Sequence, residues 1–425
     1  MNGVSWRAEG TAHGPQGKVH SRAPGLTGRR SVSGENEKVL VLNPGTTSTK
    51  FGIFTRAGEE MVRNIHHGDD EIERFRGRPM LDRLEYRAGL IEAALVEAGY
   101  GSDGEWLGMG GGASHPSRKD KSAARVGHPH WAAVAGRGGL LPPMECGTYL
   151  VDDAMVEELR RARRGEHASN LGAVLALRFA GAAGVNAYIV DPVTVDEWQN
   201  CARLSGSPLI ERISIGHWLN TKAVARRYAR GVGRRYEEMR LIVVHMGSGI
   251  TVSAHRGGRM IDSNSIEEGP FGPDRTGSLP VRGLIKLCLS GKLTETQLDR
   301  HVFGDGGLFA YLGTRDLREV EQRMDAGDER AEAVVEAMIY QIGKETGAMA
   351  AVLRGGVNGG KVDAVLVTGG MAHSERMVKK LRGYVDWIAP IAVYPGEDEL
   401  RALAEGVFRV LDGEEEAKRM ERSSS

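Results

Sequence analysis

The chain has 425 residues, 40% of them hydrophobic, with 56 acidic and 56 basic side chains. That is enough for two or three domains with a substantial core, and the zero net charge argues against nucleic acid or an anionic membrane as main partner, since both favour a basic surplus. No apolar run approaches a membrane span. Cys146, Cys201 and Cys288 have no CxxC spacing, so neither a disulfide framework nor a zinc site is suggested, and a reducing, cytoplasmic setting is expected.

Residues 1–36 are rich in Gly, Ser, Arg and Pro and carry no hydrophobic period. They contain no apolar h-region and so do not read as a secretory signal; their basic, Ser-containing composition is compatible with a transit peptide, but a disordered extension or a misplaced start codon is the favoured reading. From Lys38 the strand Val39–Leu42 leads into the turn Asn43–Thr49 and a second strand over Lys50–Phe54. Leu81–Ala98 has helical spacing, residues 101–130 form a Gly/Ser/Lys-rich insertion expected as a surface loop, and Ala132–Ala135 restarts as a strand ending at Gly136–Gly139. Helices are predicted over 152–163, with Asp152 as N-cap, and over 168–183, followed by a strand over Ala187–Val190 that ends at Asp191. Ser214–Arg230 reads as a helix.

At Leu241 the opening pattern returns: a strand over Leu241–Val244, the turn His245–Gly249, a strand over Ile250–Ala254 and a further one at Arg259–Ile261. Two strand–polar turn–strand units about 200 residues apart suggest a duplicated domain. A third glycine turn, Thr368–Gly370, instead joins a strand over Val362–Val367 to a helix over Ser374–Leu381. Hairpins mixed with strand–helix alternation indicate an α/β protein with two mixed sheets and helices packed on them.

The turn Asn43–Lys50 holds one amide, one glycine and four hydroxyls, and can aim backbone N–H groups and hydroxyls at phosphate oxygens while the amide holds a cation or its water. A plain polar hairpin would use the same residues. The two further glycine turns favour the phosphate reading, because a nucleoside triphosphate needs several close backbone approaches. No GxxxxGK[ST] occurs, which excludes a P-loop enzyme, and the GMGGGA stretch in the insertion follows no strand and is set aside as low complexity.

The segment Val39-Leu-Val-Leu-Asn-Pro-Gly-Thr-Thr-Ser-Thr-Lys50 resembles the opening motif of the acetate and butyrate kinases. The resemblance continues through Ala135-Gly-Arg-Gly-Gly-Leu-Leu141, Gly165-Glu-His-Ala-Ser-Asn-Leu171, Val190-Asp-Pro-Val193, Gly269-Pro-Phe-Gly-Pro-Asp-Arg-Thr-Gly277, Val367-Thr-Gly-Gly370 with Ala372-His-Ser374, and Tyr394-Pro-Gly-Glu-Asp-Glu399. It spans about residues 38–412 in consistent order and is closer in character to the butyrate kinases. It implies a duplicated ribonuclease-H-like, actin-like ATPase fold of two lobes, with ATP in the cleft between them and the C-terminal helix packed back on the first. The expected division is a first lobe of 37–192 plus 390–425 and a second, nucleotide-binding lobe of 193–389.

On that resemblance, Arg137 and Arg275 flank the transferring phosphoryl group, whose charge spreads over three oxygens that planar guanidiniums can neutralise. Asp191 would orient an arginine or the metal. His167, His217 and His245 would contact phosphate or orient the arginines; none need act as a general base, because a carboxylate nucleophile is already ionised at pH 7. Asn43, Gly45, Thr46, Thr47, Ser48 and Lys50 would face the nucleotide, and Gly247, Ser248, Gly249, Thr368, Gly369 and Gly370 are candidates around adenosine. Asn43 with Asp398 and Glu399 matches the magnesium-associated positions, and the resemblance does not choose between the two acids.

Gly138 and Gly139 stand where acetate kinases carry larger apolar residues, so a roomier acyl pocket is expected. Each added buried methylene contributes about 0.8 kcal/mol, which would favour a four-carbon acid over acetate by about ten-fold or more. Where related kinases have Phe, this chain has Gly216 before His217, and Trp218 after it either leaves the extra space open or refills it. The expected function is ATP- and Mg²⁺-dependent phosphorylation of butyrate by a homo-oligomer. The alternatives are an acetate, propionate or branched-chain acid kinase, and a non-catalytic ATP-binding module, which would have no reason to keep both arginines.

Overall fold

The computed structural model describes residues 37–68, 73–100 and 131–421, which lie in one compact unit. The N-terminal extension and the 101–130 insertion lie outside the described residues.

Strands β1 (Lys38–Pro44), β2 (Ser48–Thr55), β3 (Gly58–His66), β4 (Trp131–Arg137), β5 (Thr148–Leu150) and β6 (Asn186–Val190) form the first sheet, in the order β3-β2-β1-β4-β6-β5. Strands β7 (Arg240–Met246), β8 (Ile250–Arg256), β9 (Arg259–Ser263), β10 (Ala364–Gly369) and β11 (Ile391–Pro395) form the second, in the order β9-β8-β7-β10-β11. Both contain two antiparallel hairpin pairings followed by two parallel ones. The first sheet adds only β5, antiparallel to β6 at the edge. The duplication read from the two turns is therefore a duplication of sheet topology.

The helices that matter here are α1 (Leu84–Glu97), α2 (Asp153–Arg161), α3 (Asn170–Ala183), α4 (Trp218–Gly231), α5 (Glu329–Arg354), α6 (Glu375–Val385) and α7 (Glu399–Leu411). The continuous apolar run of β1 is explained by burial on both faces. Leu40 and Leu42 pack with Leu171, Leu175 and Phe179 of α3, while Val39 and Val41 pack with Leu400, Leu403 and Val407 of α7. In the second sheet Ile242 and Val244 meet Val335, Ile339 and Ile342 of α5, and Leu241 and Val243 meet Val224 and Ala225 of α4. Helix α4 also turns Leu219 and Ala223 toward the α7 cluster, so it joins both cores. Among the described residues no helix is long and apolar enough to cross a membrane.

Asp152 caps α2 as expected, its carboxylate accepting the Met155 N–H at 3.0 Å. Two expectations are corrected. The helix predicted from Ser214 starts at Trp218, because Ser214 and Gly216 are tied back to the carbonyls of Val195 and Val193. The return to the first lobe, expected at 390, comes at α7: residues 391–395 are β11, paired in parallel with β10, whose apolar neighbours compete for them successfully.

Candidate active site

The β1–β2 turn, the end of β4, the start of α4, the loop after β9 and the first residue of α7 converge on a cavity of about 430 Å³. Of the expected residues, Asn43, Gly45, Ser48, Lys50, Arg137, His167, Gly216, His217, Arg275 and Glu399 line it.

Arg137 ends β4 and is buried. Its Nη2 lies 3.1 Å from Oε1 of Glu399, whose Oε2 accepts the Asn43 amide at 2.7 Å, and its Nη1 has no acceptor among the described residues. Arg275 reaches the cavity from the other lobe; its Nη1 is likewise buried without an acceptor among the described residues, and Asp274, at 3.9 Å, is an ion-pair partner. Burial holds the Arg275 guanidinium below its ordinary pKa. A Cβ at Gly249 would sit 2.5 Å from Nη1 of Arg275, so the glycine leaves the guanidinium room to lie where it does.

The histidines surround this pair of cations. Burial, with Arg137 and Arg275 adding repulsion, lowers the pKa of His167, whose Nδ1 lies 2.7 Å from Ser169 Oγ. His217 is pushed well below the ordinary range by burial, then by His245 and both arginines, and its Nδ1 lies 2.9 Å from Thr251 Oγ1. His245 is fully buried: Asn220 Nδ2 lies 3.0 Å from its Nδ1, and Glu397 Oε1 lies 3.0 Å from its Nε2 without the alignment of a hydrogen bond. Glu397 in turn is held low, first by His245 and further by Arg137 and Lys50, against the opposing effect of burial.

Several expected residues are elsewhere. Asp191 orients an arginine, but it is Arg226, at 3.0 Å, and its other oxygen accepts the Gly147 N–H at 2.8 Å. It is buried away from the cavity, where Arg226, Lys222 and Arg409 keep it ionised against burial. Gly138 and Gly139 do not line the acyl space: a Cβ would meet Pro192 at 2.6 Å in the first case and Asn170 at 2.5 Å in the second, so these glycines allow close packing. The apolar wall is Val193, Ile215 and Ile266, with Leu140 and Pro44. Trp218 is fully buried among Val195, Trp198 and Met260, and its ring occupies the place of a residue-216 side chain, 2.6 Å from where a Cβ would stand.

Asp398 pairs with Arg227 at 3.5 Å and with Arg401 at 3.9 Å outside the cavity, leaving Glu399 as the acid that faces it. Thr46 and Thr47 are exposed beside the cavity. Gly247 packs against His245 and Glu397, while Thr368 is occupied with Asn220 and the Gly396 carbonyl. Gly369, at φ +92°, lies against the Met246 backbone, and of that turn Gly370 alone faces open space. Sequence reasoning missed Glu397, Asn220, Ser169 and the Val193–Ile215–Ile266 wall. Glu397 stood next to the acidic pair already singled out; the apolar residues carried no signal separating them from ordinary core.

The sequence profile of the acetokinase family matches residues 215–385. Proteins named "Probable butyrate kinase" from two Clostridium botulinum strains, Alaska E43 / Type E3 and Eklund 17B / Type B, are each 43% identical over 383 residues, covering 90% of this chain and 99% of theirs. Among solved structures, acetate kinase of Porphyromonas gingivalis superposes with TM-score 0.66 at 17% identity, covering 88% of this chain and 100% of that one. A propionate kinase of Francisella tularensis superposes with TM-score 0.63 at 16% identity, over 87% and 98%. At that identity the structures establish the two-lobed acetate kinase fold, and with the near-complete, 43% identical relatives they place this chain in the acetokinase family.

Proposed function

We propose that the chain is a butyrate kinase, transferring the terminal phosphoryl group of ATP to the carboxylate of butyrate to give butanoyl phosphate and ADP. The observation that carries the chemistry is the pair of guanidiniums, buried Arg137 and half-buried Arg275, entering one cavity from opposite lobes, each with a buried Nη1 that has no acceptor among the described residues. An unpaired buried donor is costly unless a ligand completes it, and two such forks suit three charge-bearing phosphoryl oxygens.

A carboxylate oxygen of the acid forms the new bond to the γ-phosphorus as the bond to the ADP oxygen breaks, and no proton has to move. Neutral His167 and His217 can donate to phosphoryl oxygens without adding a third and fourth positive charge beside the arginines. Val193, Ile215 and Ile266 hold the alkyl chain. Trp218 closes the space behind Gly216, which sets a limit on chain length.

Magnesium belongs to the same reading. Among the described residues no group of three or more His, Cys, Asp or Glu side chains could hold a metal alone. Glu399 and Asn43 supply the one carboxylate and one amide that Mg²⁺ uses when phosphates and water complete its shell, and the ion would neutralise charge on the ATP phosphates. A cytoplasmic homo-oligomer is also proposed; the exposed stripe Val281, Ile285 and Leu289 supports the association of chains.

Hydroxamate trapping with ATP, Mg²⁺ and acetate, propionate, butyrate, isobutyrate or valerate tests the reading. Acyl hydroxamate with a maximum at four carbons is expected. A maximum at acetate would keep the reaction and reject the acyl-site reading, and no product from folded, ATP-binding protein would reject the kinase.

A further inference from the structure

The polarity of the β1–β2 turn is arranged from outside it. Its four consecutive carbonyls are all engaged: Gly45 O accepts Nη1 of Arg87 at 2.7 Å and Thr46 O accepts Nη2 of Arg87 at 3.3 Å. Thr47 O accepts the His67 N–H at 2.9 Å, and Ser48 O accepts the Gly45 N–H at 2.7 Å. The N–H groups of Thr46 and Thr47, by contrast, donate to no backbone carbonyl among the described residues, and both residues are exposed beside the cavity that Gly45 and Ser48 line. With these four carbonyls engaged and two N–H groups left without a backbone acceptor, the turn keeps amide donors available for an anion.

Arg87 belongs to α1, lies outside the cavity lining and is fully buried. Its planar fork spans two successive carbonyls, which a point-charge ammonium does not reproduce. Nη1 also reaches Thr49 Oγ1 at 3.5 Å, and that hydroxyl lies 2.8 Å from Nε2 of His67. Burial, then Arg87 and Arg83, lowers the His67 pKa to about 4, so the ring stays neutral and adds no competing cation.

We propose that Arg87 is a positioning residue for ATP: by holding the carbonyls of Gly45 and Thr46 away from the cavity, it gives the turn its phosphate-facing edge. The assignment rests on the kinase reading only for the identity of the anion. It concerns nucleotide binding and leaves the acyl wall untouched.

Arg87→Met and Arg87→Lys are compared with the full-length wild type by ATP calorimetry and by steady-state kinetics in each substrate, below the thermal midpoint of every variant. Expected is a rise of about ten-fold or more in Kd and KM for ATP in Arg87→Met, with the KM for butyrate within about two-fold and partial recovery of ATP affinity on adding sub-denaturing guanidinium. Unchanged ATP affinity would overturn the proposal. So would a parallel rise in both KM values with no response to guanidinium, the signature of general loosening. Should Arg87→Met not fold, Arg87→Lys, which keeps the charge and loses the fork, carries the same comparison. Wild type that binds ATP but phosphorylates no acid would count against the reaction alone, since calorimetry still decides the role of Arg87.

Discussion

The imidazole rings of His217 and His245 lie face to face, with centroids 3.9 Å apart and planes 10° from parallel. Burial, then His245 and both arginines, disfavours charge on the His217 ring. The stack thus places a neutral donor, His217, at the cavity wall, with Thr251 and Asn220 fixing the two rings from behind.

This has a consequence for acid stability. His217 and His255 titrate well below the ordinary value of 6.5 in the folded chain, chiefly through burial, and His67 at about 4. The unfolded chain therefore binds more protons below about 6.5. Stability from these residues is complete above that pH and declines as pH falls through the folded values. Urea midpoints should drop between pH 7 and pH 5, and His255→Gln should flatten the drop; equal midpoints across the range would contradict the assignment.

Arg137→Ala and Arg275→Ala should each lower kcat by about a thousand-fold or more with little change in thermal midpoint. Circular dichroism and single-turnover phosphorylation check both halves. Near wild-type turnover in either variant would remove that arginine from the transition state.

The two neighbouring acids should separate cleanly. Glu399 contacts Asn43 and Arg137, whereas Asp398 makes partly exposed ion pairs outside the cavity. Glu399→Gln should raise the Mg²⁺ concentration needed for half-maximal activity by about ten-fold or more. Asp398→Asn should leave it nearly unchanged, as exposed pairs contribute about 0–1 kcal/mol. Equal magnesium curves for the two variants would reject the assignment of Glu399.

Trp218 should govern chain length. Trp218→Leu opens the space behind Gly216 at a stability cost of about 2–4 kcal/mol, and should move the preference toward five- and six-carbon acids. Gly216→Ala should be poorly tolerated, because its Cβ would stand 2.6 Å from the Trp218 ring. The ranking of acids by kcat/KM is the readout, and an unshifted ranking in Trp218→Leu would place the limit elsewhere.

Most of the strands, the three glycine turns and the α2 cap were legible because each is a local matter: an apolar run, a polar turn, a carboxylate two or three residues from the N–H it accepts; β3, β5 and β11 were not read from the sequence. Arg137, Arg275 and the histidines were legible through motifs that keep their order along the chain. Gly138 and Gly139 were misread because a glycine that admits a substrate and one that admits a neighbouring backbone look the same in one dimension.

Sequence by itself determined the duplicated α/β architecture and most of the polar residues of the site, since periodicity and turn chemistry act between near neighbours. Tertiary structure alone decided which partner each charge meets: Asp191 takes Arg226, Glu399 rather than Asp398 takes Arg137, and Arg87 takes the carbonyls of a turn some forty residues away. Coulombic and hydrogen-bond energies fall off over a few ångströms, so these choices depend on distances that exist only once the two sheets and their helices have packed.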